Sequence, residues 1–183
     1  MSHPEQRAFC AIVQQKYPKF FSGVKVLDIG SLDINGSNRS FFTNCEYHGI
    51  DIGPGKGVDY VCRGHEWQGE NEYYDCIIST ECFEHDQFYA LTLKNAVRML
   101  KKGGLLIFTC ATTGRPEHGT RRTSPEDSPL TCATAGWEDY YKNLTQTDIE
   151  SVLDCATIFS KYAFETNDQA HDLYFYGIKS GNS

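Results

Sequence analysis

Two aspartates flank a glycine where an apolar run ends, and this arrangement predicts a site for a cationic ligand. Asp28 lies near the end of the run at residues 24–29, and Gly30 and Asp33 follow it. A glycine lets the backbone approach a bound molecule closely. The two carboxylates would repel a pyrophosphate but suit a ligand that carries an ammonium and a sulfonium group. Leu32 occupies the second glycine position of the G-x-G-x-x-G motif, which argues against a nicotinamide coenzyme.

A third acid, Asp51, ends the next apolar run, roughly 20 residues after the glycine loop. An acid at this spacing takes the hydroxyl groups of a ribose in many nucleotide-binding folds. Asp51 alone would be explained as a surface charge or a loop cap. Together with the glycine loop, it predicts a ligand that contains a nucleoside.

Strand patterns alternate with helix patterns along the chain. Runs rich in β-branched and aromatic residues predict strands at 24–29, 47–52, 58–62, 74–79, 105–111, 157–164 and 173–178. Helical spacing and capping residues predict helices at 4–21, 37–42, 86–100 and 147–153, and residues 112–136 form a long polar loop. We therefore expect an α/β, Rossmann-like three-layer sandwich: a mostly parallel sheet of about seven strands, an antiparallel C-terminal strand, and helices on both faces. We expect one domain, residues 1–183.

The composition narrows the class of partner. The net charge is -7, from 17 basic and 24 acidic side chains, which argues against binding along a nucleic-acid backbone. The eight cysteines contain no C-x-x-C pair, so a zinc site is not expected. Several of them lie in apolar runs, which favours a protein of the reducing cytoplasm. We expect no membrane-spanning segment, because no apolar run is long enough to cross a bilayer.

Four segments in order resemble the successive motifs of class I methyltransferases that use S-adenosyl-L-methionine (SAM). They read V-L-D-I-G, G-I-D-I, Y-D-C-I-I-S-T-E-C-F-E-H and M-L-K-K-G-G-L-L-I-F-T, within residues 24–112. The resemblance implies SAM as the cofactor and methyl transfer as the reaction.

The same resemblance implies where the cofactor lies. The loop at 28–36 would wrap the methionine part, Asp51 would hold the ribose, and Ile52 would contact the adenine. Residues after the third and fourth strands would complete the site. The cofactor-binding residues implied in this way are Asp28, Gly30, Ser31, Leu32, Asn35, Asp51, Ile52, Gly64, His65, Thr80 and Glu81.

Two histidines are candidates for a catalytic base. If the methyl acceptor is a hydroxyl, its proton must be removed, and histidine suits this role near neutral pH. His85 follows the fourth predicted strand and begins the main helix, and His118 lies in the long loop. Each histidine also has an alternative explanation without catalysis: His85 could have a structural or cofactor-side role, and His118 could be a solvated surface residue. Glu84, His85 and Asp86 could also be read as part of a metal site. Adjacent helical residues point in different directions, so no metal is expected.

The segment after the fifth strand resembles methyltransferases that accompany glycosyltransferases in glycan assembly. Its candidate acceptor-binding residues are Arg115, Glu117, Trp137, Tyr140 and Tyr141, whose rings and polar groups suit a sugar. We therefore predict O-methylation of a small molecule, with a sugar hydroxyl as the narrower hypothesis. N-methylation of a metabolite or protein, and a catalytically inactive SAM-binding domain, remain the alternatives.

Overall fold

A mixed sheet forms the centre of the computed structural model, which describes residues 3–181. Its strands in this part of the chain are β1 (Lys25–Ile29), β2 (Glu46–Asp51), β3 (Tyr60–Val61), β4 (Tyr74–Thr80), β5 (Leu100–Ala111), β6 (Phe159–Asn167) and β7 (Asp172–Lys179). The helices are α1 (Pro4–Lys16), α2 (Tyr89–Met99), α3 (Pro129–Cys132), α4 (Gln146–Val152) and α5 (Cys155–Ile158). The ends of the predicted domain, residues 1–2 and 182–183, lie outside the described residues.

The strand order is β3-β2-β1-β4-β5-β7-β6. The first five strands in this order pair in parallel, β7 pairs antiparallel with β5, and β6 pairs antiparallel with β7. The predicted Rossmann-like fold, with its parallel sheet and antiparallel C-terminal end, is therefore confirmed. Because β1, β2 and β4 run side by side in one direction, their carboxyl ends meet at one edge of the sheet.

Two apolar clusters cover the two faces of the sheet. Side chains alternate along β5, so that Leu106 and Phe108 enter one cluster while Leu105 and Ile107 enter the other. Helices α2 and α4 close the first cluster, and α1 closes the second through Phe9, Cys10 and Val13. Each large buried side chain contributes about 1.5–3 kcal/mol of hydrophobic stabilisation. Helices on both faces confirm the predicted three layers.

Several predicted boundaries shift for local reasons. Helix α1 ends at Lys16 rather than at residue 21, because the residue before Pro18 is pushed out of helical geometry. Helix α2 starts at Tyr89 rather than at residue 86, since residues 83–85 form a separate 3-10 turn. Strand β5 begins at Leu100, directly after α2, and includes the residues expected to end that helix. His85 therefore precedes the main helix instead of beginning it.

Side-chain caps start two of the predicted helical segments, and the second begins at Gln146 rather than at residue 147. The Ser37 hydroxyl accepts a hydrogen bond from the Arg39 amide and starts a 3-10 turn at residues 38–41. Thr145 and Asp148 form a reciprocal capping box at the start of α4. In contrast, the predicted loop at 112–136 contains a 3-10 turn at 125–127 and helix α3. Within residues 3–181, no helix is both long and apolar enough to span a bilayer.

Candidate functional site

A cleft opens at the carboxyl edge of the sheet, where ligands bind in open α/β folds. The cleft is partly open to solvent. The ends of β1, β2 and β4 form its floor, and residues 127–131 with Trp137 form the opposite wall. The cleft therefore lies where the sequence predicts the ligand.

The glycine loop passes directly over the residues that follow β4. Gly30 has a φ of +80°, and its amide donates to the Ile50 carbonyl oxygen at 2.9 Å. A Cβ atom on residue 30 would lie 2.6 Å from the Cys82 Sγ atom and 2.7 Å from its Cβ atom. Both the backbone conformation and the close approach require glycine at this position.

Asp51 is fixed by the backbone at the end of β2. One of its carboxylate oxygens accepts a hydrogen bond from the Leu32 amide at 3.0 Å, and the other accepts from the Ile52 amide at 2.8 Å. Burial raises the pKa of Asp51, and the two amides partly oppose that shift. Each oxygen keeps a further lone pair, so the carboxylate can still accept hydrogen bonds from a ligand.

Asp28 lies deeper and has an architectural role. It accepts hydrogen bonds from the Tyr47 hydroxyl at 2.6 Å and from the Asn38 side-chain amide at 3.1 Å. Burial raises the pKa of Asp28 to about 6, although both donors favour its charged form. Asn38 also donates to the Thr80 hydroxyl at 3.0 Å, and thereby joins the ends of β1 and β4. No sequence pattern predicted this role of Asn38.

Glu81 is buried at the end of β4 in the left-handed region, with a φ of +50°. The Thr109 hydroxyl donates to its Oε1 atom at 2.9 Å, and His3 Nε2 lies 3.5 Å from its Oε2 atom. Burial acts to raise the pKa of Glu81, but the neighbouring His3 reverses the shift and lowers it. Burial also opposes the protonation of His3, yet Asp172 and Glu81 raise its pKa to about 10. An ion-pair network thus joins the start of α1 to the cleft.

Three titratable side chains meet beside the cleft. Glu84, His85 and His118 are buried, and their ligand-type atoms lie within 4.8 Å of one another. Burial lowers the pKa of both histidines and raises that of Glu84 to about 8, so the imidazoles are neutral near pH 7. The two histidine rings are 5.0 Å apart, and the Tyr141 ring packs against both. The two candidate catalytic residues, distant in sequence, are therefore neighbours.

The structure places the predicted residues unevenly around the cleft. All the predicted cofactor-binding residues line it except His65, whose ring packs against Phe88 at 4.5 Å. Of the two histidine candidates, His85 lines the cleft, and His118 lies behind it against the His85 ring.

Among the predicted acceptor-binding residues, Trp137 lines the cleft and the others lie outside its lining. Arg115 pairs with Asp172 at 3.2 Å. Glu117 pairs with Arg122 at 3.0 Å. Tyr141 packs on the histidine rings, and Tyr140 lies in the same segment. Trp137 itself is 6% exposed and packs against Phe88, so it offers little free surface for stacking.

Several lining residues were not predicted. No cofactor or acceptor contact was predicted for Asn38, Cys62, Arg63, Cys82, Asp86, Asp127, Ser128, Pro129, Leu130 and Thr131. Residues 127–131 reach the cleft by folding back over it, and a Cβ atom on Gly53 would lie 2.9 Å from a methyl group of Leu130. A polar, non-periodic segment carries no sequence signal for such packing. The adjacent turn signals at Ser124-Pro125 and Ser128-Pro129 predict local turns only.

The lining of the cleft is acidic. Its carboxylates are Asp28, Asp51, Glu81, Asp86 and Asp127, and Arg63 is the one lysine or arginine among the described residues that line it. Such a cleft repels phosphate groups and attracts cations. The acidic lining therefore argues against a coenzyme that carries a pyrophosphate, in agreement with the acids of the glycine loop.

Comparison with known proteins agrees with this geometry. A family model described as a methyltransferase domain matches residues 1–129. A search of curated proteins found no match. Among solved structures, Haemonchus contortus phosphoethanolamine N-methyltransferase 2 in complex with S-adenosyl-L-methionine has a TM-score of 0.64 at 16% identity. The similarity covers 95% of this chain and 52% of that enzyme, so the chain spans about half of its length.

Two further structures extend the range of chemistry. The 1,6-didemethyltoxoflavin N1-methyltransferase of Burkholderia thailandensis, with bound 1,6-didemethyltoxoflavin and S-adenosylhomocysteine, has a TM-score of 0.65 at 15% identity. That similarity covers 96% of this chain and 78% of the enzyme. The CurJ carbon methyltransferase has a TM-score of 0.62 at 17% identity, with 96% and 54% of the two chains covered. Identities this low establish the shared fold and leave the acceptor open.

Proposed function

The chain belongs to the methyltransferase domain family, and we propose that it transfers the methyl group of SAM to an oxygen atom of a small acceptor. One observation carries this proposal: an acidic cleft at the carboxyl edge of the sheet, with the Asp51 carboxylate fixed by two backbone amides. The acids complement the ammonium and sulfonium groups of SAM. The proposed unit is one domain of the reducing cytoplasm, which its eight unpaired cysteines support.

The cofactor would lie along the floor of the cleft. The loop at 28–36 would wrap the methionine part, and Asp51 would accept hydrogen bonds from the ribose hydroxyls. Ile52 and the segment at 62–64 would contact the adenine, while Thr80 and Glu81 would close over the sulfonium side. All of these residues line the cleft except Asp33, which pairs with Lys56 at 2.7 Å instead, and this placement supports the assignment of the others. His65 has no place in this arrangement, because its ring packs on Phe88 outside the lining.

Methyl transfer is an in-line displacement. A bond forms between the acceptor oxygen and the methyl carbon while the carbon–sulfur bond breaks, and S-adenosylhomocysteine leaves. Most of the rate enhancement comes from aligning the two reactants. The proton of an acceptor hydroxyl must also be removed, and neutral His85 on the cleft wall, with His118 behind it, can receive it.

A neutral, polyhydroxylated acceptor such as a sugar suits the cleft wall best. Asp127, Ser128 and Thr131 line this wall. The Ser128 and Thr131 hydroxyls bond each other at 2.6 Å and Thr131 Oγ1 donates to the Ser128 carbonyl oxygen, so toward an acceptor they offer lone pairs rather than protons. These groups bond sugar hydroxyls well. The acidic lining disfavours phosphorylated acceptors, and therefore nucleotide sugars and RNA. The same lining favours a second candidate function, N-methylation of a cationic amine, and N-methyltransferases occur among the structural neighbours.

An acceptor panel tests the proposal. We expect release of S-adenosylhomocysteine with simple glycosides and polyols, and little with the matching nucleotide sugars. Amino sugars of the same configuration separate the two candidates, because an N-methyltransferase would methylate the amine in preference to the hydroxyls. Turnover on amines alone would reject O-methylation. Binding of SAM without turnover on any acceptor would favour an inactive SAM-binding domain.

A further inference from the structure

We propose that Glu84, His85 and His118 bind one divalent transition-metal ion at the acceptor side of the cleft. Each residue offers one ligand atom, and these atoms lie within 4.8 Å of one another. Glu84 and His85 come from the 3-10 turn after β4, while His118 comes from the loop after β5. The site thus assembles from two segments that follow neighbouring strands of the sheet.

The three side chains leave polar atoms buried and without partners. Both carboxylate oxygens of Glu84, both ring nitrogens of His85 and Nε2 of His118 have no hydrogen-bond partner among the described residues. Glu84 is 0% exposed and His85 is 4% exposed. A buried polar group without a partner is destabilising, because it has lost its hydrogen bonds to water and gained none in the protein. One cation between the three side chains would satisfy an atom of each and neutralise the Glu84 carboxylate.

The tautomer of His118 is set for metal binding. Its Nδ1–H group donates to the Pro116 carbonyl oxygen at 3.1 Å, which leaves the Nε2 lone pair free. Metal-bound histidines usually donate their other ring N–H group to a carbonyl or carboxylate in this way, because it fixes the ring and strengthens the ligand. The free Nε2 atom is the one that has no partner in the protein.

The surrounding packing holds the ligands in place. Gly119 has a φ of +62°, and a Cβ atom there would lie 2.6 Å from the His85 Cε1 atom. The Tyr141 ring packs against both imidazoles from the other side, with ring centres 5.0–5.5 Å away. The loop that carries His118 can therefore come this close to His85 only with glycine at position 119. The site is largely preformed.

The donor set selects the class of ion. Two imidazoles and one carboxylate suit zinc, iron, cobalt or manganese, whereas magnesium and calcium prefer oxygen ligands. Three protein ligands leave at least one coordination position open. His85 lines the cleft, so an open position there would face the acceptor. If the proposed function holds, the ion would bind the acceptor oxygen and lower the pKa of its hydroxyl, whose proton would pass to water at the open side of the cleft. The histidines would then serve as ligands, and the role of His85 as the base would apply only to the protein without metal.

A second cluster, formed by His3, Glu81 and Asp172, does not need an ion. His3 lies 2.9 Å from Asp172, and Arg115 lies 3.2 Å from the same carboxylate. The Tyr174 hydroxyl also donates to Asp172. Two cationic side chains already balance its two carboxylates. In the described part of the chain, the cluster of Glu84, His85 and His118 has no such cationic partners, so it is the better candidate for a metal ion.

Cobalt(II) is the probe for the site, because its visible absorption reports the ligands. Titration of the chelator-treated full chain should show one Co²⁺ per chain, with the bands of nitrogen and oxygen ligation and no sulfur-to-metal charge-transfer band. Glu84→Gln and His118→Ala should each weaken binding at least 100-fold. Glu46→Gln is the matched control, since Glu46 also lies beside a histidine, 3.5 Å from His48, but on the surface. It should leave the affinity unchanged.

Thermal unfolding gives a second readout that a structural role would not produce. Without metal, Glu84→Gln should be as stable as the wild type or more stable, because an amide, unlike a carboxyl group, never places a charge in the buried site. With Co²⁺ bound, the wild type should unfold at a higher temperature than Glu84→Gln. Absence of stoichiometric binding, or equal binding by the wild type and both variants, would overturn the metal site. If SAM still binds in that case, the proposed function stands, so the two failures are distinguishable.

Discussion

Replacement of Asp51 with alanine is expected to weaken SAM binding about 100-fold, since hydrogen bonds to a charged group contribute about 1.5–3 kcal/mol each. In the proposed complex the carboxylate holds the ribose hydroxyls. It also accepts hydrogen bonds from the Leu32 and Ile52 amides, so its removal frees the glycine loop as well. Calorimetric titration of the variant with SAM measures the loss.

Asp75→Ala is the matched control for this prediction. Asp75 also accepts two hydrogen bonds, from the Lys25 amide and the Lys101 ammonium group, but it lies at the opposite, amino-terminal edge of the sheet. Its removal should leave the SAM affinity unchanged. The SAM affinity of Asp51→Asn should lie between the affinities of the wild type and Asp51→Ala, because one side-chain oxygen can still accept a hydrogen bond. Equal affinity in Asp51→Ala and the wild type would exclude a ribose contact by Asp51.

The second large expected effect is a loss of folding free energy when Gly30 is replaced. Gly30→Ala is expected to destabilise the protein by about 2–5 kcal/mol, the sum of left-handed backbone strain and overpacking. The new Cβ atom would meet both side-chain atoms of Cys82 at less than 3 Å. Because the same loop lies on the cleft floor, SAM affinity should fall in parallel. Urea unfolding of the two proteins measures the difference in free energy.

Gly103→Ala separates strain from the steric clash. Gly103 has a φ of +75°, close to that of Gly30, but a Cβ atom there would meet no atom within 4 Å. Gly103→Ala should therefore lower the free energy of unfolding by about 1 kcal/mol and leave SAM binding intact. Adding Cys82→Gly to Gly30→Ala should recover part of the lost stability. Equal losses in the two glycine variants would contradict the close approach of the loop to Cys82.

Most of the fold could be predicted because its signals are local. Apolar β-branched runs mark the strands, and the Ser37 hydroxyl marks the start of the short helical segment that follows it. The carboxyl ends of β1 and β2 place Gly30 and Asp51 together as soon as the strands are parallel. Predicted boundaries were wrong where a pairing partner distant in sequence determines the structure. Leu100, which was expected in the main helix, belongs to β5 because it pairs with Tyr74.

The rest of the candidate site depends on contacts between distant segments. Sequence alone does not show that Arg115 is held by Asp172, or that residues 127–131 fold back over the cleft. Nor does it show that His118 lies against His85. The residues considered for a metal were Glu84, His85 and Asp86. In the structure, the Asp86 carboxylate accepts hydrogen bonds from Phe88 and Thr92, while His118 completes the cluster.

The most direct test of the central claim is calorimetric titration of the wild-type chain with SAM, S-adenosylhomocysteine and NAD. We predict that the first two bind at one site per chain and that NAD does not, because the acidic lining repels its pyrophosphate. Binding of NAD without binding of SAM or S-adenosylhomocysteine would contradict the proposed cofactor and the reaction derived from it.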